Sequence, residues 1–187
     1  MPIFGITASS NMSTKLTDFY QIATTTVGAG GTSLISFTSI PQTYTHLQIR
    51  ALNFSSNPAA GGVYRFNNDT TTTNYYDHFL YSTGTGGTPT SAGSDANASY
   101  APFFQGGSSS TAPGSMVIDI LDYTNTNKYK VSKQLVGYTN TSPSAMYLGL
   151  ISNLWESTSA INRIDFTAGS AGTFSQYTQF SLYGVKA

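Results

Sequence analysis

Over most of the chain, apolar and polar side chains alternate one for one across short runs, and the runs are separated by segments rich in Gly, Pro, Asn and Thr. In residues 45–53, Leu47, Ile49 and Ala51 share one parity while His46, Gln48 and Arg50 share the other. Residues 33–40 set Ile35 and Phe37 against Ser36 and Thr38. Residues 178–185 set Phe180, Leu182 and Gly184 against Gln179, Ser181 and Tyr183. Successive side chains of a strand point to opposite faces, so a period of two marks strands with one face in a core. Further strands are predicted at 20–27, 63–67, 75–81, 116–123, 128–136, 145–152 and 161–166. No stretch has the spacing of an amphipathic helix, and 153–159, with Leu154 and Trp155, offers a single turn at most.

The connectors fit this reading. Gly28-Ala29-Gly30-Gly31 lies between two Thr-, Ile- and Val-rich runs and reads as a hairpin loop. Pro41 ends the second run because proline cannot donate to a ladder. Asn125-Thr126-Asn127 reads as a tight turn, since asparagine tolerates the left-handed conformation. Two segments break the rhythm. Residues 82–114, rich in Gly, Ser, Thr, Ala and Pro, read as a long surface excursion anchored by Tyr100, Phe103 and Phe104. Residues 1–18 form an N-terminal arm without periodicity. The expected architecture is all-β: a single jelly-roll-like β-sandwich over 19–187, with the arm and the long loop attached. A closed barrel is the structural alternative.

Composition narrows the function. The 187 residues carry 8 basic and 8 acidic side chains, a formal net charge of zero, and only 9% are charged, against about 25% in typical soluble domains. Polarity comes instead from 25 Ser, 27 Thr and 12 Asn. Without a net positive charge or a basic cluster the chain lacks the footprint of a nucleic-acid binder. No apolar run approaches the ~18 residues of a membrane span, and the start, Met1-Pro2-Ile3-Phe4-Gly5-Ile6, lacks the basic region of a signal peptide. There is no cysteine for a disulfide or a thiolate metal site. A neutral chain gains little solubility from self-repulsion, which favours a place in an assembly.

Candidate chemistry is sparse. The two histidines are His46, on the polar parity of its strand and read as solvent-facing, and His78, whose neighbour Asp77 points to the opposite face. No Gly-x-Ser-x-Gly elbow occurs. The one close carboxylate pair, Asp119 and Asp122, lies three apart in a strand and so on opposite faces. Asp122 reads as the start of the Asn-rich turn, and Asp119 as the partner of a lysine or arginine across the sheet. Asn67-Asn68-Asp69 reads as a turn rather than a calcium loop. The glycine run lacks the lysine of a phosphate-binding loop. No catalytic residue, metal site or cofactor is expected, and the chain reads as a non-enzyme. The 13 Tyr, 11 Phe and one Trp leave three uses open. Tyr75, Tyr76, Tyr81, Tyr100, Tyr138 and Tyr147 suit a core, a protein interface or a sugar-binding platform.

Several segments, in order, resemble virion proteins of tailed bacteriophages, especially aquatic and cyanobacterial ones. They are Thr24-Thr25-Thr26-Val27-Gly28-Ala29-Gly30-Gly31 leading to Phe37-Thr38-Ser39-Ile40-Pro41-Gln42-Thr43-Tyr44-Thr45-His46-Leu47-Gln48-Ile49-Arg50, then Ile118-Asp119-Ile120-Leu121-Asp122-Tyr123 with Asn127-Lys128-Tyr129-Lys130, Leu150-Ile151-Ser152-Asn153-Leu154-Trp155, and Phe180-Ser181-Leu182-Tyr183-Gly184-Val185-Lys186. The resemblance spans most of 20–186 and is weakest across 82–114. It implies a non-enzymatic sandwich on the particle exterior, made in the host cytoplasm. One form is a capsid cement or decoration protein, a homotrimer bound to the major capsid protein on the outer capsid surface. The alternative is a tail-fibre or receptor-binding module recognising host surface polysaccharide. Size favours the first, because an 18-residue arm leaves no room for a fibre shaft.

The arm itself is apolar for a solvated tail: Ile3, Phe4, Ile6, Met12 and Leu16. If ten strands already fill both faces of the sandwich, these residues are expected to anchor the chain to a neighbouring subunit or the capsid. Closure of an edge of its own sheet is the alternative.

Overall fold

The computed structural model describes residues 18–53, 55, 61–83, 91–103, 113–139, 146–169 and 172–186. They form twelve strands and no helix: β1 (Phe19–Thr26), β2 (Leu34–Phe37), β3 (His46–Asn53), β4 (Gly62–Phe66), β5 (Tyr75–Thr83), β6 (Ser91–Ala98), β7 (Ala101–Phe103), β8 (Gly114–Leu121), β9 (Lys130–Thr139), β10 (Met146–Trp155), β11 (Ile164–Ala168) and β12 (Gln179–Val185). All pairings are antiparallel. An eight-stranded sheet runs β1-β12-β3-β8-β9-β10-β5-β6 and a four-stranded sheet runs β2-β11-β4-β7. The two pack into a β-sandwich.

The chain changes sheet at nearly every connection. From β1 to β4 it alternates between the large and the small sheet, and β7, β8, β11 and β12 alternate again. Two additions, β5–β6 and β9–β10, lengthen the large sheet beyond the small one. This pattern corrects the reading of 28–31 as a hairpin loop. The segment turns, with Gly31 at φ +66° and its N–H on the Gly28 carbonyl. But β1 pairs with β12 and β2 with β11, so the turn carries the chain from one sheet to the other. The excursion at 82–114 is also more than a surface loop. It holds edge strand β6 of the large sheet and edge strand β7 of the small one, and Phe103 is a core residue. Phe104 lies outside the described residues.

The core is aromatic because both sheets aim rings into the gap between them. Phe37, Tyr64, Phe66, Phe103, Phe166 and Phe180 are buried there, with Leu47, Ile49, Ile118, Ile120 and Leu182 as an aliphatic floor. The alternation read in β2, β3 and β12 holds: Ile35, Phe37, Leu47, Ile49, Phe180 and Leu182 all point inward. Trp155 is no part of a helical turn. It ends β10, stacks on Tyr75 at 6.4 Å and packs against Phe66 at 5.5 Å.

The Asn67-Asn68-Asp69 segment is the turn the sequence predicts, with Asn67 and Asn68 both at positive φ. Asn67 Oδ1 accepts the Asn162 and Arg163 N–H groups at 2.9 and 3.2 Å. Asp69 accepts from Trp155 Nε1 at 2.7 Å, Asn74 Nδ2 at 2.8 Å and the Thr71 N–H at 2.9 Å. Burial raises the pKa of this carboxyl, but the bonds from Asn74, Trp155 and Thr71 outweigh it and hold the value at about 2. The carboxylate is therefore favoured in the fold, and its contribution is present above the ordinary value of 3.8 and lost as pH falls through about 2. Urea unfolding of the wild type is expected to show a loss of up to about 2 kcal/mol across that window. Asp69→Asn should remove this loss, and an identical acid profile for the two proteins would refute it.

Candidate interaction surface

The chemistry-bearing residues singled out in the sequence do not converge. His46 is half-buried rather than freely solvated: its Nδ1 accepts the Asp122 N–H at 3.0 Å and lies 3.5 Å from the Asp122 carboxylate. Asp122 begins the β8–β9 turn at φ +47° and pairs with Lys128. The Lys128 bond comes before burial and the Lys128 and His46 charges in setting its pKa, which falls below the usual carboxylate range. Asp119 stands opposite Lys133 in the register of β8 and β9, as expected, and takes its hydrogen bond from the other neighbouring strand: Gln48 Nε2 donates to it at 2.7 Å, and Arg50 Nε donates to Gln48 Oε1 at 2.7 Å. The arginine thus reaches Asp119 through Gln48. His78 is exposed on the outer face of the large sheet, and Asp77 is buried on the inner one. Among the described residues no three His, Cys, Asp or Glu side chains gather as metal ligands, and no helix is long and apolar enough to cross a membrane.

The tyrosines do not gather into one platform. Tyr75 is core, and its hydroxyl oxygen accepts the Phe66 N–H at 3.0 Å. Tyr138 and Tyr147 stack at 4.4 Å across β9 and β10, on the inward parity, with Tyr81 on the adjacent β5. Tyr100 is exposed beneath Arg65, 5.8 Å from its ring. The five apolar arm residues, Ile3, Phe4, Ile6, Met12 and Leu16, lie outside the described residues. Where the described chain begins, the Asp18 carbonyl accepts the Lys186 N–H at 3.0 Å, beside the β1 edge of the large sheet.

A feature that sequence reading missed dominates the large sheet. In β9, Lys130, Ser132 and Gln134 are buried, while Val131 and Leu135 point outward. In β10, Gly149 and Asn153 point inward alongside Ile151 and Trp155, and Leu148 and Leu150 point outward. Much of the usual pattern is turned inside out. The interior accepts these polar groups because most of their polar atoms find partners; among the described residues, Gln134 Oε1 and Asn153 Oδ1 are buried without one. The Tyr64 hydroxyl shares a 2.7 Å hydrogen bond with Ser132 and accepts from Asn153 Nδ2 at 3.0 Å, while Gln134 Nε2 donates to the Pro102 carbonyl at 2.8 Å. Lys130, only 1% exposed, donates from Nζ to the carbonyls of Asn125, Lys128 and Thr158 at 2.5, 3.0 and 3.2 Å. Burial, and after it the nearby Lys128 charge, lowers the pKa of this amine.

The leucines therefore face out. Register places Arg50, Val117, Leu135, Leu150 and Leu80 in one transverse row across β3, β8, β9, β10 and β5. Leu52 and Leu148 lie one row above, in line with Ser115 and Gly137. Leu52, Leu80, Leu135, Leu148 and Leu150 are 44–59% exposed, and Leu121 lies apart from them beyond the polar row of Asp119 and Lys133. Scattered exposed leucines are ordinary, whereas a contiguous field of them marks an interaction surface. Two shallow grooves of about 470 and 380 Å³ lie in this face, one bordered by Leu52, Leu135 and Leu148 and the other by Leu80, Lys133 and Leu150. The expectation that strands fill both faces of the sandwich fails here. Compared with known protein families, curated proteins and solved structures, the chain matches none of them.

Proposed function

We propose that the chain is a non-enzymatic structural protein of a tailed-phage virion. In this reading it is a jelly-roll decoration protein on the outer surface of the capsid, where it stabilises contacts of the major capsid protein. The observation that carries an assembly role is the leucine field on the outer face of the large sheet, a surface shaped for protein contact. The jelly-roll reading is supported by the alternation of β1–β4 and of β7, β8, β11 and β12 between the sheets. The phage setting is supported by the ordered resemblance of segments from 24 to 186. The arm residues Ile3, Phe4, Ile6, Met12 and Leu16 supply the grip on the capsid or a neighbour, and a homotrimer is the expected assembly.

Purified particles test the placement. Hundreds of copies per virion are expected, and full-length chain added to undecorated capsids should bind where chain lacking residues 2–12 binds far more weakly. A handful of copies per particle would favour a receptor-binding head and overturn the capsid placement. Equal binding by the truncated chain would remove the arm from the grip.

A further inference from the structure

We infer that the outer face of the eight-stranded sheet is the surface through which a second copy of this chain binds, sheet against sheet. The inference rests on the reading of this face as a protein interface and is independent of the virion setting.

Extent, shape and charge favour a second copy. The six strands that carry the exposed leucines and border the grooves, at about 4.8 Å spacing, with eight residues at about 3.3 Å rise, give a face of roughly 760 Å². A standard interface takes about 800 Å² from each partner. The row of Leu135 and Leu150 runs between the two grooves, so it forms a ridge with a depression on either side. Gly137, with no side chain, leaves the larger groove open between Ser115 and Leu148. When one copy is turned over on another, ridge meets groove in both directions, as in aligned sheet packing. Beside the ridge lie both signs of charge: Arg50, Lys133 and Asp119. Each copy thus offers an acid and a base to the other, and two chains of zero net charge do not repel.

The inside-out pattern of β9 and β10 adds to this. Leucines more than half exposed contribute little to a lone chain, while Lys130, Ser132, Gln134 and Asn153 occupy interior positions that leucines would fill. Such a hairpin places its apolar side chains where only a partner buries them.

The test compares the molar mass of the full chain with that of Leu135→Lys/Leu150→Glu, by light scattering at micromolar concentration. The two positions are direct register partners, so the new charges pair and the net charge stays at zero. Both side chains are more than half exposed, so the circular dichroism spectrum should be unchanged, and the thermal transition should stay cooperative while shifting down as the contact between copies is lost. The wild type should give an even multiple of 19.9 kDa and the variant half that mass or less, so that a trimer held by the arm appears as a hexamer falling to a trimer. Gly137→Lys provides a second route. A Cβ there meets nothing closer than the Tyr147 carbonyl at 3.8 Å, yet the side chain fills the groove, and the same dissociation is expected. A monomeric wild type overturns the inference, as it would if the chain's own arm covered the face. So does a molar mass that neither variant changes. Self-association through the leucines in a chain missing from purified particles would sink the virion reading and leave this one standing.

Discussion

Phe166→Ala is expected to destabilise the fold by about 3–5 kcal/mol, a large share of a typical domain's stability. Phe166 sits on β11, between β2 and β4 in the small sheet, and is fully buried. Its ring lies 4.8 Å from Phe180, 5.7 Å from Tyr64, 5.9 Å from Phe103 and 6.4 Å from Phe37. It touches both sheets at once. Rigid rings on neighbouring strands do not collapse into the space it leaves, so the cavity term adds to the lost transfer energy. The control is Leu148→Ala, on the outer face and 59% exposed, for which a change within about 0.5 kcal/mol is expected in the isolated chain. Urea titration of both variants decides the matter. A loss below about 1.5 kcal/mol for Phe166→Ala would show that the aromatic cluster is not the element joining the sheets.

The contrast between these two side chains separates what the sequence makes legible from what it hides. Strands such as β3 announce themselves because Leu47, Ile49 and Ala51 fall on one parity, with polar groups between them. β6 does not, since Ser91-Ala92-Gly93-Ser94-Asp95-Ala96-Asn97-Ala98 has neither β-branched nor aromatic residues. It is a strand because β5 offers it an edge, with Phe79 lying across the space where Gly93 has no side chain. β7 contains Pro102, which an edge position tolerates. The Gly28–Gly31 turn was visible as a turn, but the partners of β1 and β2 lie far along the chain, and local turn chemistry carries no record of them.

The leucine face was hidden for a different reason. A period-two reading assigns the apolar parity to the core, whereas β9 and β10 have apolar residues on both parities, Leu135 beside Val136 and Leu150 beside Ile151. One available signal was the triplet Lys130, Ser132 and Gln134, polar on one parity while Val131 and Leu135 share the other. Taken at face value it would have predicted polar residues outward. Beside the carbonyls that hold Lys130 and Gln134, it is Tyr64 on β4, reaching across to Ser132 and Asn153, that makes the reverse orientation stable. That contact is nonlocal, and so is the exposure of the leucines that follows from it.

The same buried phenols make the fold sensitive to alkali. Burial raises the pKa of Tyr64, with the Ser132 and Gln134 hydrogen bonds pulling back only in part. It likewise raises Tyr75 against the Phe66 N–H, Tyr123, and Tyr138 beside Tyr147 and Tyr81. Each folded value lies above the unfolded one, so as pH climbs past 10 the unfolded chain releases these protons first and stability falls. The loss is at most about 1.4 kcal/mol per pH unit for each tyrosine, and so at most about 5.6 per pH unit for the four together. Lys130 acts the other way, because its lowered amine makes stability rise with pH just below the ordinary lysine value of 10.5, but it is one group against four. Urea midpoints measured from about pH 8 to about pH 12 should fall steeply above 10. Tyr64→Phe/Tyr75→Phe should halve the slope while lowering stability at every pH, since Ser132, Asn153 and the Phe66 N–H lose their partner. Stability that stays flat to pH 12, or a slope unchanged in the double variant, would mean that these hydroxyls ionise as freely in the fold as in the unfolded chain.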